Sequence, residues 1–371
     1  MAGTEETKVK TVKDRQAQIQ ANMVQLLNLP SAYTVWEPIK MNWHISKSTR
    51  VLDVGEIEMN HMSGKYAKSD MHVLKAVHAL GYATKANILA LLQYWRKTDE
   101  AEANATGRPR LNIPNLSDKE LWLRIMELCR YGVLVRHEFW PSDEIRKETD
   151  TARSVFNVSN NGAHMYKTIL SDSTLSFDQR LFYMNEEDVF RYVLTGMAAT
   201  SFLSSQYASS ARFSVSVYAN KRRCNVLAEM KMSLAGRSWD DDSKCRLIFE
   251  GVTFRTNPAV VTYEARYKIV ENRVRELWSV VQLYREESPV YVIFCLEDGF
   301  GMRDLLNIIR DNAPELYSCS LYTTGTVLEY NRVFSHPECI RDCYLEYSSS
   351  GAGRLIGAVG YYFLERDIGG R

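Results

Sequence analysis

The spacing of apolar residues predicts three consecutive helices in the first half of the chain. In the first, Ser69 to Gly81, apolar residues recur every three or four positions, which is typical of a helix with one buried face. A second helix is expected to begin after Thr84, a good capping residue. The third is expected to begin at Ser117, where Ser-Asp-Lys-Glu matches the capping box, and to end near Gly132.

After Gly132 the apolar period shortens to two, which indicates β-structure. Residues 133–139 and 153–158 are predicted to form two strands joined by the polar span 141–151. Three helices followed by a two-stranded hairpin make a winged helix-turn-helix. In that module the third helix enters the major groove of DNA.

This assignment predicts double-stranded DNA as the partner, contacted by cations on the third helix, on the hairpin and before the third helix. Residues 97–115 are expected to form a long polar insertion, either a surface loop or an arm that reaches the minor groove. The candidate DNA-binding residues are Lys119, Arg124, Arg130, Arg136, Arg146, Lys147, Arg108 and Arg110. Winged helices also serve as protein-docking modules, so a structural or virion-type interaction protein is an alternative.

The second half of the chain alternates helical and strand patterns, which predicts a mixed α/β sheet. Helices are expected at 186–203, 269–286 and 302–309. Strands are expected at 212–218, 224–232, 245–254, 259–267, 290–296 and 317–328.

The composition is that of an ordinary globular protein. The 371 residues are 45% hydrophobic and 25% charged, enough for two or three cores. We expect an α+β protein with an arm and lead-in segment at 1–67, a winged helix at 68–170 and an α/β domain at 171–371.

No apolar run reaches the roughly 20 residues of a spanning helix, and the amino terminus lacks a signal-peptide pattern, which predicts a cytoplasmic location. Seven irregularly spaced cysteines favour reduced thiols.

The distribution of charge agrees weakly with DNA binding. The formal net charge is only +1. Residues 1–170 hold 23 Lys and Arg against 19 Asp and Glu, whereas residues 171–371 hold 23 against 26. Any affinity for DNA should therefore depend on a few locally placed cations and fall with salt.

Two stretches resemble the replication-relaxation family of plasmid and mobile-element proteins. Residues 128–134 form a helix end and a Gly before a Val-Leu strand, and residues 156–162 form a strand that enters an Asn-Gly turn. The resemblance implies an amino-terminal winged helix, a carboxy-terminal domain like a restriction-endonuclease core, and a role in plasmid replication or transfer initiation. Other DNA-processing proteins of the element are then expected partners. A homodimer is also expected, because one helix reads few base pairs.

An enzyme is the other alternative. A nuclease of this type needs an acidic residue on one strand and an Asp/Glu-x-Lys triplet on the next, which together bind Mg²⁺. Glu250 and the triplet from Glu264 to Arg266 are the nearest match, although arginine is a poor replacement for lysine. We expect the core to be degenerate and to need no cofactor, with Mg²⁺ required only if it is a nuclease.

Two weaker patterns have simpler interpretations. The Gly-x-Gly at 299–301 lies between a predicted strand and a helix and could cradle phosphate, but a tight turn explains it. His336, Cys339 and Cys343 have ligand-like spacing and lack the fourth ligand of a zinc site.

Overall fold

The structure is a computed structural model that describes residues 36–38, 53–141, 153–170, 186–203, 208–233, 244–254, 261–297, 301–325, 344–347 and 353–356. These residues divide into two compact units. The first holds 36–196 and residue 203, and the second holds 197–202 and the described residues from 208 onward. The protein is a mixed α+β protein, as predicted.

The first unit combines helices with a small antiparallel sheet. Its helices are α1 (Val54–Met62), α2 (Lys68–Leu80), α3 (Lys85–Thr106), α4 (Asp118–Arg130), α5 (Asn160–Leu170) and the start of α6 (Glu186–Phe202). Its strands are β1 (Trp36–Pro38), β2 (Ala83–Thr84), β3 (Leu134–Pro141) and β4 (Arg153–Val158), arranged in the order β1-β3-β4-β2. All three strand pairs are antiparallel.

The helix starts follow from local hydrogen bonds. Thr84 caps α3 by accepting from the Asn87 N–H, and Ser117 caps α4 in a full capping box with Glu120. The predicted cap Ser69 is wrong by two residues. Helix α2 has Ala67 at its N-cap position, without a side-chain cap. The Ala67 N–H donates to the carboxylate of Asp70, which supplies only the reciprocal half of a capping box.

The second helix is longer than the sequence pattern suggests. Residues 97–106 were expected in a polar insertion, but α3 continues through them and ends at Gly107, which adopts a left-handed conformation with φ 72°. Alternating alanines at 101, 103 and 105 have the highest helix propensity and sustain these turns without a continuous apolar stripe. Only the part after Gly107 is a connection.

The second unit is a mixed sheet with helices on both faces. Its strands are β5 (Ala208–Ala219), β6 (Arg222–Ser233), β7 (Lys244–Val252), β8 (Val290–Leu296), β9 (Ser320–Thr324), β10 (Tyr344–Tyr347) and β11 (Gly353–Ile356), and neighbours in the sheet follow chain order. Strands β7, β8 and β9 are parallel to one another, and the remaining pairs are antiparallel. The helices are the end of α6, α7 (Tyr263–Arg285) and α8 (Met302–Asn312), followed by a 3₁₀ turn (Pro314–Cys319).

Strand β7 lies between two helical layers. Phe249 contacts Phe202 of α6, with ring centroids 5.4 Å apart, whereas Glu250 pairs with Arg273 of α7. Adjacent residues of a strand point to opposite faces, so α6 and α7 cover opposite sides of the sheet. Among the described helices, none has the length and hydropathy needed to cross a bilayer.

Two predicted strands of this unit are wrong in part. Residues 263–267 begin helix α7, whose cap Thr262 accepts from the Ala265 N–H, rather than forming a strand. The misleading feature is Arg266, a buried cation at an inward helical position, which hides the apolar stripe. The strand expected at 317–328 begins only at Ser320, after the 3₁₀ turn. Residues 326–328 lie outside the described part of the chain.

Candidate nucleic-acid interface

Helix α4 has a polar, solvent-facing side and a buried apolar side. Leu121, Ile125 and Leu128 are fully buried, whereas Lys119 and Arg130 are exposed. At about 100° per residue, Lys119 and Arg130 lie only about 20° apart around the helix axis and about 16 Å apart along it. The two cations therefore mark the ends of one exposed stripe.

Apolar side chains occupy the middle of this stripe. Leu123 lies about 40° from Lys119 around the axis and keeps 58% of its surface exposed, and Met126 is half-buried beside it. We call Lys119, Leu123, Met126 and Arg130 the α4 stripe. Its cations can pair with phosphates, and its apolar side chains can contact the methyl groups of thymine bases.

The start of α4 is fixed firmly. Lys85 of α3 pairs with Asp118, with Nζ and Oδ2 2.5 Å apart. The hydroxyl and backbone N–H of Ser117 both donate to Glu120, which lowers the pKa of that carboxyl. These contacts place three charged groups next to Lys119 in a defined arrangement, and two of them are acidic.

Arg124 forms its ion pairs with carboxylates of the first unit. Its guanidinium donates to both oxygens of Asp70, with Nε–Oδ1 at 2.8 Å and Nη2–Oδ2 at 2.5 Å, and it also pairs with Glu127. Asp70 is completely buried, and its hydrogen bonds raise the pKa of Arg124. The pair joins α2 to α4 and leaves little of the guanidinium for an external ligand.

Arg136 also has partners within the first unit. Its Nε donates to Ser154 Oγ at 2.9 Å, a second nitrogen pairs with Glu138, and its guanidinium carbon lies 5.3 Å from the Trp122 ring centroid. Lys85 contacts the same ring at 5.8 Å. The ring of Trp122, a residue of α4, therefore contacts two cations, Lys85 and Arg136. The sequence alone did not predict this role.

The candidates before α4, Arg108 and Arg110, lie in the connection that follows Gly107 and pair with carboxylates of helix α3, so they do not form a free arm. Arg108 donates to Asp99 at 2.7 Å and to Glu102 at 2.8 Å, and Arg110 pairs with Glu100 at 2.8 Å. Burial raises the pKa of Asp99, but the hydrogen bonds from Arg108 and from the Leu111 N–H outweigh burial and lower it below its ordinary value. The last two candidates, Arg146 and Lys147, lie outside the described residues.

The residues of the nuclease alternative do not have the predicted arrangement. Glu250 is buried in β7, where its Oε2 lies 2.8 Å from Arg273 Nη2. Glu264 is exposed in the first turn of α7, so the expectation that it lies on an adjacent strand is wrong. Arg266 is buried and donates through Nε to the Thr253 carbonyl at 2.8 Å, which is a structural contact.

A better match to the carboxylate-x-lysine triplet lies on β6 and was missed. Glu229 and Lys231 are two residues apart on a strand, with Lys231 exposed. Glu229, however, accepts from Arg212 Nε and from the Tyr284 hydroxyl, both at 2.7 Å. Burial and this hydrogen bond raise the pKa of Tyr284 to about 12, so the hydroxyl stays a donor and the carboxylate stays engaged.

No family model, curated protein or solved structure matches this chain.

Proposed function

We propose that the protein binds double-stranded DNA through a winged helix-turn-helix formed by α2, β2, α3, α4, β3 and β4. The observation that carries the proposal is the α4 stripe, with cations about 16 Å apart at its ends and apolar side chains between them. A major groove about 12 Å wide has phosphates on both sides and thymine methyl groups on its floor.

The order of the elements supports this assignment. A helix, a short strand, two helices and a two-stranded hairpin follow one another, and β2 completes the sheet beside β4. In this arrangement α4 takes the place of the recognition helix. The Asp70 pairing with Arg124 then positions the recognition helix, and Lys119 and Arg130 are the residues that contact DNA.

The biological role we propose is an accessory function in replication or transfer initiation of a plasmid or other mobile element. It rests on the resemblance of residues 128–134 and 156–162 to the replication-relaxation family. We also propose a homodimer on a repeated site, because one recognition helix contacts few base pairs. Other DNA-processing proteins of the element are the proposed partners. The order of three antiparallel strands, a helix and a parallel strand in the second unit supports an endonuclease-like core, which we propose to be non-catalytic.

Fluorescence anisotropy of a labelled duplex, titrated with the full chain at several salt concentrations, tests the proposal. Affinity should fall steeply with salt, and Lys119→Ala with Arg130→Ala should flatten the logarithmic salt slope by about 1 for each lost phosphate contact. Lys97→Ala, an exposed lysine of α3, is the matched control and should leave the slope unchanged. A salt-independent or undetectable duplex affinity rejects the proposal.

Protein docking is the second candidate, and Leu123 favours it. A leucine that is 58% exposed at the centre of a charge-balanced helix suits a partner's apolar surface as well as a base. In that case Leu123→Ala would weaken capture of the partner, and the duplex titration would show no binding.

A further inference from the structure

The hairpin formed by β5 and β6 is strongly cationic. Residues 208–233 contain five Lys and Arg against one Asp or Glu, although residues 171–371 as a whole are acidic. The cations are Arg212, Lys221, Arg222, Arg223 and Lys231. Three of them are consecutive and lie at the tip.

The tip has a tight, defined turn. Strand β5 ends at Ala219 and β6 begins at Arg222, so Asn220 and Lys221 form a two-residue turn with φ of 47° and 60°. Positive φ at both positions is the signature of the type I′ turn that joins twisted strands. Asn220 Nδ2 donates to Ser279 Oγ of α7 at 3.0 Å, which holds the turn against the body of the unit.

An exposed tyrosine lies beside these cations. Tyr218 keeps 71% of its surface exposed and is the cross-strand partner of Arg223, so the two side chains lie on the same face of the hairpin. Arg223 is braced by Ser216, whose Oγ accepts from Nε at 3.0 Å and from Nη2 at 2.8 Å. The guanidinium has five N–H donors, so the brace leaves donors for an external acceptor.

The tip cations differ from the cations of the first unit. Within the described ranges, Lys221, Arg222 and Arg223 have no carboxylate partner, whereas Arg108 and Arg124 each pair with a buried aspartate. The single acid of the hairpin, Glu229, is already bound by Arg212 and Tyr284. The nearby acid of α7, Glu276, pairs with Arg273. The tip therefore carries three exposed cations that a polyanion can contact.

We propose that the tip, defined as Tyr218 with Lys221, Arg222 and Arg223, is a second nucleic-acid site that binds a single strand. The cations neutralise successive phosphates, and Tyr218 stacks on an unpaired base, which a duplex does not offer. The inference takes the class of ligand from the proposed function, but it concerns a different surface. A protein with both sites can bind both duplex and single-stranded DNA.

The test uses the full chain and labelled oligothymidylate, measured by fluorescence anisotropy across salt. Tyr218→Ala should weaken binding about 5- to 140-fold, which corresponds to about 1–3 kcal/mol for one stacked base, and Tyr218→Phe should retain it. Lys221→Ala with Arg222→Ala should flatten the single-strand salt slope by about 1.4. Tyr263→Ala, an exposed tyrosine beside acidic Glu264, is the matched control and should bind normally.

Duplex titrations of the same variants separate the two proposals. The tip variants should keep wild-type affinity for a blunt duplex, and the Lys119 and Arg130 variants should keep wild-type affinity for oligothymidylate. If the wild-type protein does not bind the duplex but the tip variants still lose affinity for the single strand, only the proposed function is rejected. Wild-type protein that does not bind oligothymidylate at low salt, or Tyr218→Ala that binds it normally, overturns the inference about the tip.

Discussion

Removing Arg124 should destabilise the first unit rather than only weaken DNA binding. Arg124→Met preserves most of the aliphatic side chain. Among the described residues it leaves the completely buried Asp70 carboxylate with the Ala67 N–H as its remaining hydrogen-bond donor. Removing one partner of a buried ion pair typically costs about 3–5 kcal/mol. Because the Arg124 side chain is 23% exposed, we expect the lower end, about 3 kcal/mol.

Urea unfolding measures this cost, and amide hydrogen exchange of α2 and α4 locates it. Asp70→Asn combined with Arg124→Met removes both charges, so the double variant should be more stable than the sum of the single effects predicts. Arg110→Met is the matched control. It breaks a pair with Glu100 whose side chains are both about half exposed, which should cost no more than about 1 kcal/mol.

The opposite outcome is an Arg124→Met variant that unfolds at the wild-type urea concentration while its duplex affinity falls with a shallower salt slope. That result would make Arg124 a surface phosphate contact and would leave Asp70 without a structural role. A variant that loses stability but binds DNA normally below its unfolding transition supports the assignment of Arg124 to the interior.

Two further predictions concern the packing of the first unit. Gly162→Ala should destabilise the protein in urea, because a Cβ there would lie 2.2 Å from the Val133 carbonyl oxygen. Gly55→Ala lies in the first turn of α1, where a Cβ would lie 3.4 Å from the capping Asp53 Oδ1, and should stabilise the protein by no more than about 0.5 kcal/mol. Burial lowers the pKa of His137, despite its hydrogen bond with Asn157, so the unfolded chain binds the proton more tightly. Stability should therefore be full above the unfolded pKa of 6.5 and fall as the pH drops through it, and His137→Gln should flatten that dependence in urea titrations.

The sequence predicts elements well where one local signal dominates. The start of α4 follows from its capping box, and β8 follows from an unbroken apolar run, and the structure has β8 at the predicted residues 290–296. Both signals operate between residues close in the chain. No long-range contact is needed to recognise them.

The sequence-based predictions are wrong where the role of a residue depends on a partner that is distant in the chain. Arg124 looks like a surface cation because its partner, Asp70, is 54 residues away, and only the packing of α2 on α4 brings the two together. Arg266 looks incompatible with a buried helical face until the Thr253 carbonyl satisfies its Nε. The sequence does not predict that Tyr218 is exposed, because its exposure depends on how the hairpin folds.

The change from antiparallel to parallel pairing at β7 has a consequence for synthesis on the ribosome. Strands β5, β6 and β7 pair with their neighbours in the chain and can associate as they emerge. The other edge of β7 must wait for β8, which is translated only after the whole of α7. During that interval a largely apolar edge has unpaired backbone groups, and we expect nascent chains to be most vulnerable to aggregation there.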